Sequence, residues 1–283
     1  MMRDKPQHAA QYHGAQTDLV RATCLYIATK LGDLMEDLVI VGGLVPSLIV
    51  DQTTLPQGAD AHVGTMDLDV GLQLALLDEG RYRKLTERLR DAGFSMDKST
   101  DGNPTRQRWV ISQPSTVAVD FLIPPSHESD QPGKLRNIEP NFAAIIAPGL
   151  RCAFRDRQQI TICGRTLFGE KAERSIWVCG AGAFVVLKAL AFDGRGENKD
   201  AYDLFYVIRN YGAGVEDVAL KIRPLLDDAE AQRAIAILKR DFTDPDGIGP
   251  MRVATFLAGE PDVDMQADVV GFVRALLTHC HQQ

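Results

Sequence analysis

The 283-residue sequence predicts an α/β (α+β) protein, a small mixed β-sheet with flanking helices joined to a helical C-terminal half. Three observations predict it. Short β-branched apolar runs, Leu38 to Val41 and Val117 to Ile123, close at glycine or proline and read as buried strands. From Thr65 to Val70 acidic and apolar residues alternate with the strand period of two. Beyond Ile176 apolar residues recur at helical spacing almost to the C-terminus. The expected division is a core of residues 14–165 carrying the acids and a helical part, 166–283, completing a cleft with it.

Taken in order, residues 1–13 have no apolar pattern and are expected to be loosely attached. Thr17 to Met35 is a helix with Val20, Cys24, Ile27, Leu31 and Leu34 on one face, capped by Thr17 or Asp18. Leu38 to Val41 is a strand ending at Gly42-Gly43, and Leu44 to Val50 is a helical turn or two. Glycines there permit a tight turn and a close ligand, and amides at a helix start favour phosphate. A plain strand-to-helix turn accounts for the same residues. Asp51 to Gly64 is a loop in which His62 reads as exposed.

After the acid-bearing strand, Asp78 to Gly93 is a helix burying Tyr82, Leu85, Leu89 and Ala92. Its other face carries Arg81, Arg83, Lys84, Arg88 and Arg90, a solvated face or an RNA contact. Arg106 to Gln113 and Thr116 to Ile123 form a hairpin, and Pro124 to Asp130 is a loop. Gln159 to Cys163 is a strand, and Arg151, Arg155 and Arg157 a surface cluster. Gly180 to Phe192 is a helix, followed by a turn in which Asn198 caps the next helix. Two helices broken near Pro224 follow, then a loop from Phe242 to Pro250 and an amphipathic helix from Asp262 to His281.

The chemistry concentrates in the alternating stretch. Asp67 and Asp69 share one face of their strand, while Met66, Leu68 and Val70 face a core. Aspartate is depleted in strands. At about 4 Å and an effective dielectric near 20, two carboxylates repel by roughly 4 kcal/mol. A divalent cation removes that repulsion, and oxygen ligands point to Mg²⁺ or Mn²⁺ held together with substrate phosphates. A solvated edge strand with two ordinary acids is the plainer alternative. Asp120 is the only charge from Val117 to Ile123, and a paired strand brings it beside the other two. Three such acids form the constellation of two-metal phosphoryl-type transfer. Thr65 lies two residues before Asp67, where its hydroxyl either bonds a phosphate or simply suits a strand. Lys188 is the sole charge from Gly180 to Phe192, so it snorkels or meets an anion.

Composition excludes several classes. The formal net charge of −7 argues against a generic nucleic-acid binder, though not against a local basic patch. No apolar run is long enough to span a membrane, and the N-terminus carries no secretory signal. Five cysteines without a C-x-x-C read as free thiols in a reducing cytoplasm. The six histidines are scattered, unlike the clusters of many metal-dependent phosphohydrolases.

Gly42-Gly43, a short helix, Thr65-x-Asp67-x-Asp69 and a later strand aspartate together resemble the DNA polymerase β-type nucleotidyltransferase superfamily. Within it the chain looks most like the AbiEii / MenT-type toxins of abortive-infection toxin–antitoxin systems. Leu187-Lys188-Ala189-Leu190 and Lys199-Asp200-Ala201-Tyr202-Asp203-Leu204 extend the likeness, which covers roughly residues 35–210. Gly-Gly replaces the superfamily's usual Gly-Ser, and a loop from Thr53 to Gly64 lengthens the step to the acids. The resemblance implies an enzyme that moves a nucleoside monophosphate from an NTP to an acceptor, an RNA 3′ end such as tRNA, as the toxin of such a system. Asp67, Asp69 and Asp120 are then the metal ligands and, with Lys188 and Asp200, the catalytic residues. Gly42, Gly43, Thr65, Lys188 and Arg195 bind nucleotide, and Asp200 holds Lys188 or Arg195. Mg²⁺ or Mn²⁺ and an NTP are the implied cofactor and substrate, and a cognate antitoxin the implied partner. Transfer to a small molecule or protein hydroxyl, a non-catalytic binding protein and a phosphohydrolase are the rivals.

Overall fold

The computed structural model describes residues 6–55, 60–73, 79–99 and 101–281. The fold is mixed α/β, as expected, with one sheet backed by helices and a helical C-terminal half.

Helix α1 (Gly14–Leu31) buries Val20, Cys24, Ile27 and Leu31, and a 3-10 stretch, Gly32–Asp37, leads out of it. Its N-cap is His13, with no side-chain bond. The cap expected at Thr17 or Asp18 does not form, because the helix starts at Gly14 and holds both residues inside it; Thr17 Oγ1 instead accepts the Thr65 amide at 3.2 Å. The preceding segment is docked, not loose. His8 Nδ1 lies 3.1 Å from the Thr255 carbonyl, and the Tyr12 ring sits 5.8 Å from that of Phe256. Residues 1–5 lie outside the described residues.

Strand β1 (Leu38–Val41) is wholly buried. A 3-10 turn, Gly42–Leu44, then leads to the single-turn α2 (Pro46–Ile49). Strand β2 (Asp67–Leu72) carries the acids, and α3 (Glu79–Asp91) follows. Residues 56–59 of the predicted loop and Asp78 of the predicted helix lie outside the described residues. Strands β3 (Ser95–Lys98), β4 (Pro104–Ile111) and β5 (Val117–Ile123) come next, then β6 (Leu135–Glu139), β7 (Phe142–Ile146) and α4 (Leu150–Arg155). The hairpin β8 (Arg157–Arg165) and β9 (Lys171–Cys179) completes the sheet.

The sheet runs β3-β4-β5-β2-β1-β9-β8, with β7 joining β5 and β6 joining β7. The step from β2 to β5 is parallel, and so is the one from β1 to β9; β1 to β2 and β4 to β5 are antiparallel. Since β9 pairs with β1, the sheet extends past residue 165 and the boundary expected there falls inside a hairpin. The helical run begins at Ala181, not Ile176, because Ile176 and Val178 bury themselves as strand residues.

The C-terminal half is α5 (Ala181–Arg195), α6 (Asn198–Asn210), α7 (Val215–Ile222), α8 (Ala229–Asp241), α9 (Ile248–Ala258) and α10 (Val263–His281). Helix α5 is apolar on nearly every side and stands at the middle, touching α4, α6, α7 and α8. A helix apolar all round is stable only when surrounded in this way. It ends at Gly196 in the left-handed conformation. Asn198 is the first residue of α6, not its cap; its Oδ1 accepts from Arg252 Nη1 at 3.0 Å. Helix α9, within a stretch read as loop at its start, packs on α6 and α10.

The basic face of α3 is partly structural. Arg81 pairs with Asp37, and Arg88 with Asp33 at 2.6 Å, both on the 3-10 stretch after α1. The cluster at Arg151, Arg155 and Arg157 lies on the surface, where Arg155 bonds the Pro224 carbonyl at 2.7 Å.

Candidate active site

Pairing decides where the acids meet. In the β2–β5 register Asp69 lies opposite Asp120 and Asp67 opposite Ala118. Directly paired residues share a sheet face, so the three carboxylates stand on one face. Leu68 and Val70 point the other way and are fully buried. Antiparallel β4 adds Arg108 opposite Asp120, and β1 adds Val41 opposite Asp69. A row therefore crosses the sheet: Arg108, Asp120, Asp69 and Val41, with Asp67 one step along.

Gly42 follows Val41 and has φ +72°, a region that favours glycine. A Cβ there would overlap Asp69 Oδ2, and one on Gly43 would lie 2.6 Å from Thr65 Oγ1. Both glycines are needed to let the turn close over the acids. The Thr65 hydroxyl donates to the Asp67 carbonyl at 3.2 Å and to Asp67 Oδ1 at 3.3 Å.

The three acids differ in surroundings. Asp120 is nearly buried, and Arg108 forks onto it, Nε to Oδ1 at 2.7 Å and Nη2 to Oδ2 at 2.5 Å. The same Nη2 is 3.7 Å from Asp67 Oδ2. The Asp120 hydrogen bond raises the pKa of Arg108, so the guanidinium is charged throughout the working range. The Asp69 carboxylate makes no hydrogen bond or ion pair among the described residues. Burial, then the charges of Asp67 and Asp120, push its carboxyl up to about 7. Lys188 and Arg195 oppose that rise, and with Asp67 the Asp69 carboxyl could offer the hard oxygen pair that Mg²⁺ or Mn²⁺ takes beside phosphate. Asp120 does not join them in this arrangement, because Arg108 takes both its oxygens. Consistent with this, among the described residues no group of three or more acidic, histidine or cysteine side chains is arranged to hold a metal ion.

Beside the acids lies a cleft of about 400 Å³ lined by Gly42, Asp69, Lys188 and Arg195, with Leu122 and Leu187 among its apolar walls. The cations reach it from a buried network. Lys188 Nζ sits 3.0 Å from Asp200 Oδ1 and 2.6 Å from Asp203 Oδ2. Arg195 forks onto Asp200 at 2.6 and 2.8 Å. Lys199 Nζ is 2.8 Å from Asp203 Oδ1, and so is His62 Nε2. Burial works against the Lys188 ammonium, but Asp203 and Asp200 outweigh it and its pKa rises. Burial likewise opposes charge on Asp203, but Lys188 and Lys199 hold it well below the usual carboxylate range. Burial lowers Lys199, against the pull of Asp203, and lowers His62 to about 4.

Asp200 thus holds both Lys188 and Arg195, the pairing expected of it. His62 is not the exposed loop histidine expected. Its side chain is 0% exposed, bonded to Asp203 and stacked 5.3 Å from Tyr202. The sequence offered Lys199 only as part of its motif, with no role of its own, and did not single out Arg108. For Arg108 a signal exists: it and Asp120 stand six residues on either side of Pro114, the centre of the hairpin turn. For the His62–Asp203 contact, spanning 141 residues, there is none.

No protein-family model matches the chain, and no curated protein matches it. Among solved structures, an antigenic nucleotidyltransferase-like protein from Paracoccidioides brasiliensis aligns with 78% of this chain and 88% of its own. The TM-score is 0.41 and the identity 14%.

Proposed function

We propose that the chain is a metal-dependent nucleotidyltransferase of the DNA polymerase β-type superfamily, moving a nucleoside monophosphate from an NTP to a hydroxyl acceptor. The observation that carries this reading is the row of Asp69 and Asp120 in register, with Asp67 beside them, at a cleft shared with Gly42, Lys188 and Arg195. In the transfer the acceptor oxygen forms a bond to the α-phosphorus. The bond from that phosphorus to the bridging oxygen breaks, pyrophosphate leaves, and the acceptor proton passes to Asp120. Asp67 and Asp69 would hold Mg²⁺ or Mn²⁺, which when bound supplies charge stabilisation on the phosphates.

The chain's own residues do the positioning. Gly42 and Gly43 leave room beside Asp69 and Thr65. Thr65 orients Asp67 through its hydroxyl. Arg195, whose side chain is 47% exposed, presents charge to the cleft while Asp200 fixes its angle. Lys188 adds charge from behind, shared with Asp200 and Asp203. Such chemistry is mostly orientation and electrostatics.

The finer reading follows the likeness to AbiEii / MenT-type toxins. The acceptor is an RNA 3′ end, tRNA for instance, the site of action is the cytoplasm, and a cognate antitoxin restrains the protein. Five free thiols, four of them buried, fit a reducing compartment. Among the described residues no helix is long and apolar enough to cross a membrane.

The test is transfer from each of four α-labelled NTPs with Mg²⁺ or Mn²⁺, offered total RNA, an aminoglycoside panel and protein acceptors. Label on RNA 3′ ends, lost in Asp67→Ala, is expected. Label only on a small molecule or protein would keep the enzyme class and remove the RNA reading. No transfer to any acceptor, or equal transfer by Asp67→Ala, would remove the enzyme itself.

A further inference from the structure

Arg108 stands in an unusual place. It emerges from β4 onto the acid face, takes both oxygens of Asp120 and approaches Asp67. Three carboxylates and one guanidinium share that face. Lys188 and Lys199 are bonded to Asp200 and Asp203, and Lys188 and Arg195 act on Asp69 without bonding it. Arg108 is therefore the cation bonded directly on the acid face in the free protein. It is also accessible, with 28% of its side chain exposed. A planar guanidinium fork matches phosphate oxygens as well as it matches a carboxylate.

We propose that Arg108 is a substrate-phosphate ligand that is held by Asp120 in the free protein and is exchanged onto the nucleotide's phosphates when Asp67 and Asp69 take their divalent cation. The inference rests on the nucleotidyltransferase reading of the site. Its physical basis is charge balance. A divalent cation beside Arg108 repels the guanidinium across Asp67 and draws on the same carboxylates. An arginine displaced without a partner from a half-buried position is unfavourable. Phosphate supplies the missing anion at the moment the cation enters. Cation and polyphosphate thus assist each other, and neither alone binds well. The exchange also uncovers Asp120, which in the free protein has both oxygens occupied and cannot take an acceptor's proton.

The test uses full-length protein and a base-independent probe. Mn²⁺ alone, tripolyphosphate alone and the preformed Mn²⁺–tripolyphosphate complex are titrated calorimetrically into wild type, Arg108→Gln and Asp120→Asn. Circular dichroism and thermal melts establish that each variant is folded. Wild type is expected to bind the complex at least about tenfold more tightly than either component. One charge-assisted contact is worth about that much or more. Arg108→Gln is expected to bind Mn²⁺ alone about tenfold more tightly than wild type, since the internal competitor is gone. It should bind the complex about tenfold less tightly, since a phosphate ligand is gone. Asp120→Asn, which releases Arg108, should bind tripolyphosphate alone more tightly than wild type. Mn²⁺ binding that ignores the Arg108 substitution would overturn the exchange while leaving the metal site intact. Absence of Mn²⁺ binding in every variant, with or without tripolyphosphate, would overturn the exchange and the nucleotidyltransferase reading together. If Arg108→Gln does not fold, the tripolyphosphate affinity of Asp120→Asn decides: no gain overturns the exchange.

Discussion

Replacing Asp203 by asparagine tests the buried network most directly. The carboxylate is 0% exposed and meets three partners: Lys188 at 2.6 Å, Lys199 at 2.8 Å and His62 at 2.8 Å. Removing one member of a buried charged set costs about 3–5 kcal/mol, since the remaining charge stays out of water. Lys188 keeps Asp200 at 3.0 Å, so the loss falls mainly on Lys199, whose ionic partner among the described residues is Asp203. The expected cost at pH 7 is therefore at the low end, about 3 kcal/mol. That is a large part of a stability of about 5–15 kcal/mol, and a urea midpoint shift of about 1 M. The pH dependence has a definite sign. Burial already lowers Lys199, with Asp203 opposing it. Without Asp203 the folded amine is neutral over a wider range below its unfolded pKa. The unfolded chain then binds more protons across that range, and stability of the variant rises with pH. Urea denaturation followed by circular dichroism at pH 7 and pH 9 should show the gap to wild type narrowing at the higher pH. A cost below about 1 kcal/mol at pH 7, or a gap that ignores pH, would refute the assignment of Asp203 as the anchor of these cations.

Asp69→Asn should separate stability from activity. The folded carboxyl is raised to about 7, so its favourable protonated contribution is full below the unfolded value near 3.8 and lost as pH rises through 7. In a metal chelator above pH 7 the variant should be about 1–2 kcal/mol more stable than wild type, and no more stable at pH 4, while nucleotide transfer disappears. Thermal melts at both pH values check it. Gly42→Ala forces a side chain into a left-handed position against Asp69; a loss of about 1–3 kcal/mol by urea denaturation and weakened Mn²⁺ binding are expected. His62 is neutral in the fold down to about pH 4, so its own contribution to stability falls from pH 6.5 toward 4 as the unfolded imidazole takes up a proton, opposite in sign to that of Asp69. His62→Gln should therefore gain stability relative to wild type as pH falls from 6.5 to 4, read from the difference in denaturation midpoints. Cys163 is exposed, whereas Cys24, Cys152, Cys179 and Cys280 are buried, so a thiol reagent on native protein should modify one cysteine rapidly and none in Cys163→Ser.

What the sequence determined by itself lies in local pattern. The alternation of Asp67 and Asp69 with Leu68 and Val70 specifies a strand with an acid face, because side chains alternate at every residue whatever the strand pairs with. The lone aspartate of Val117 to Ile123 and the lone lysine of Gly180 to Phe192 announce themselves as charges that need a reason in apolar surroundings. Helix spacing gave the buried faces of α1, α3 and α10, and Pro224 the break between α7 and α8. Only the tertiary structure decided which charges answer one another. That Asp69 stands opposite Asp120 depends on a parallel pairing between strands 51 residues apart, and no local rule selects it. That His62 is buried against Asp203 depends on a loop folding onto a helix far along the chain. Strand β9 was missed for the same reason, since a strand with six exposed or half-exposed residues among nine is recognised only through the neighbours it pairs with. Side-chain periodicity is a property of one segment, whereas neutralising a buried charge takes two segments, and the second is chosen by packing.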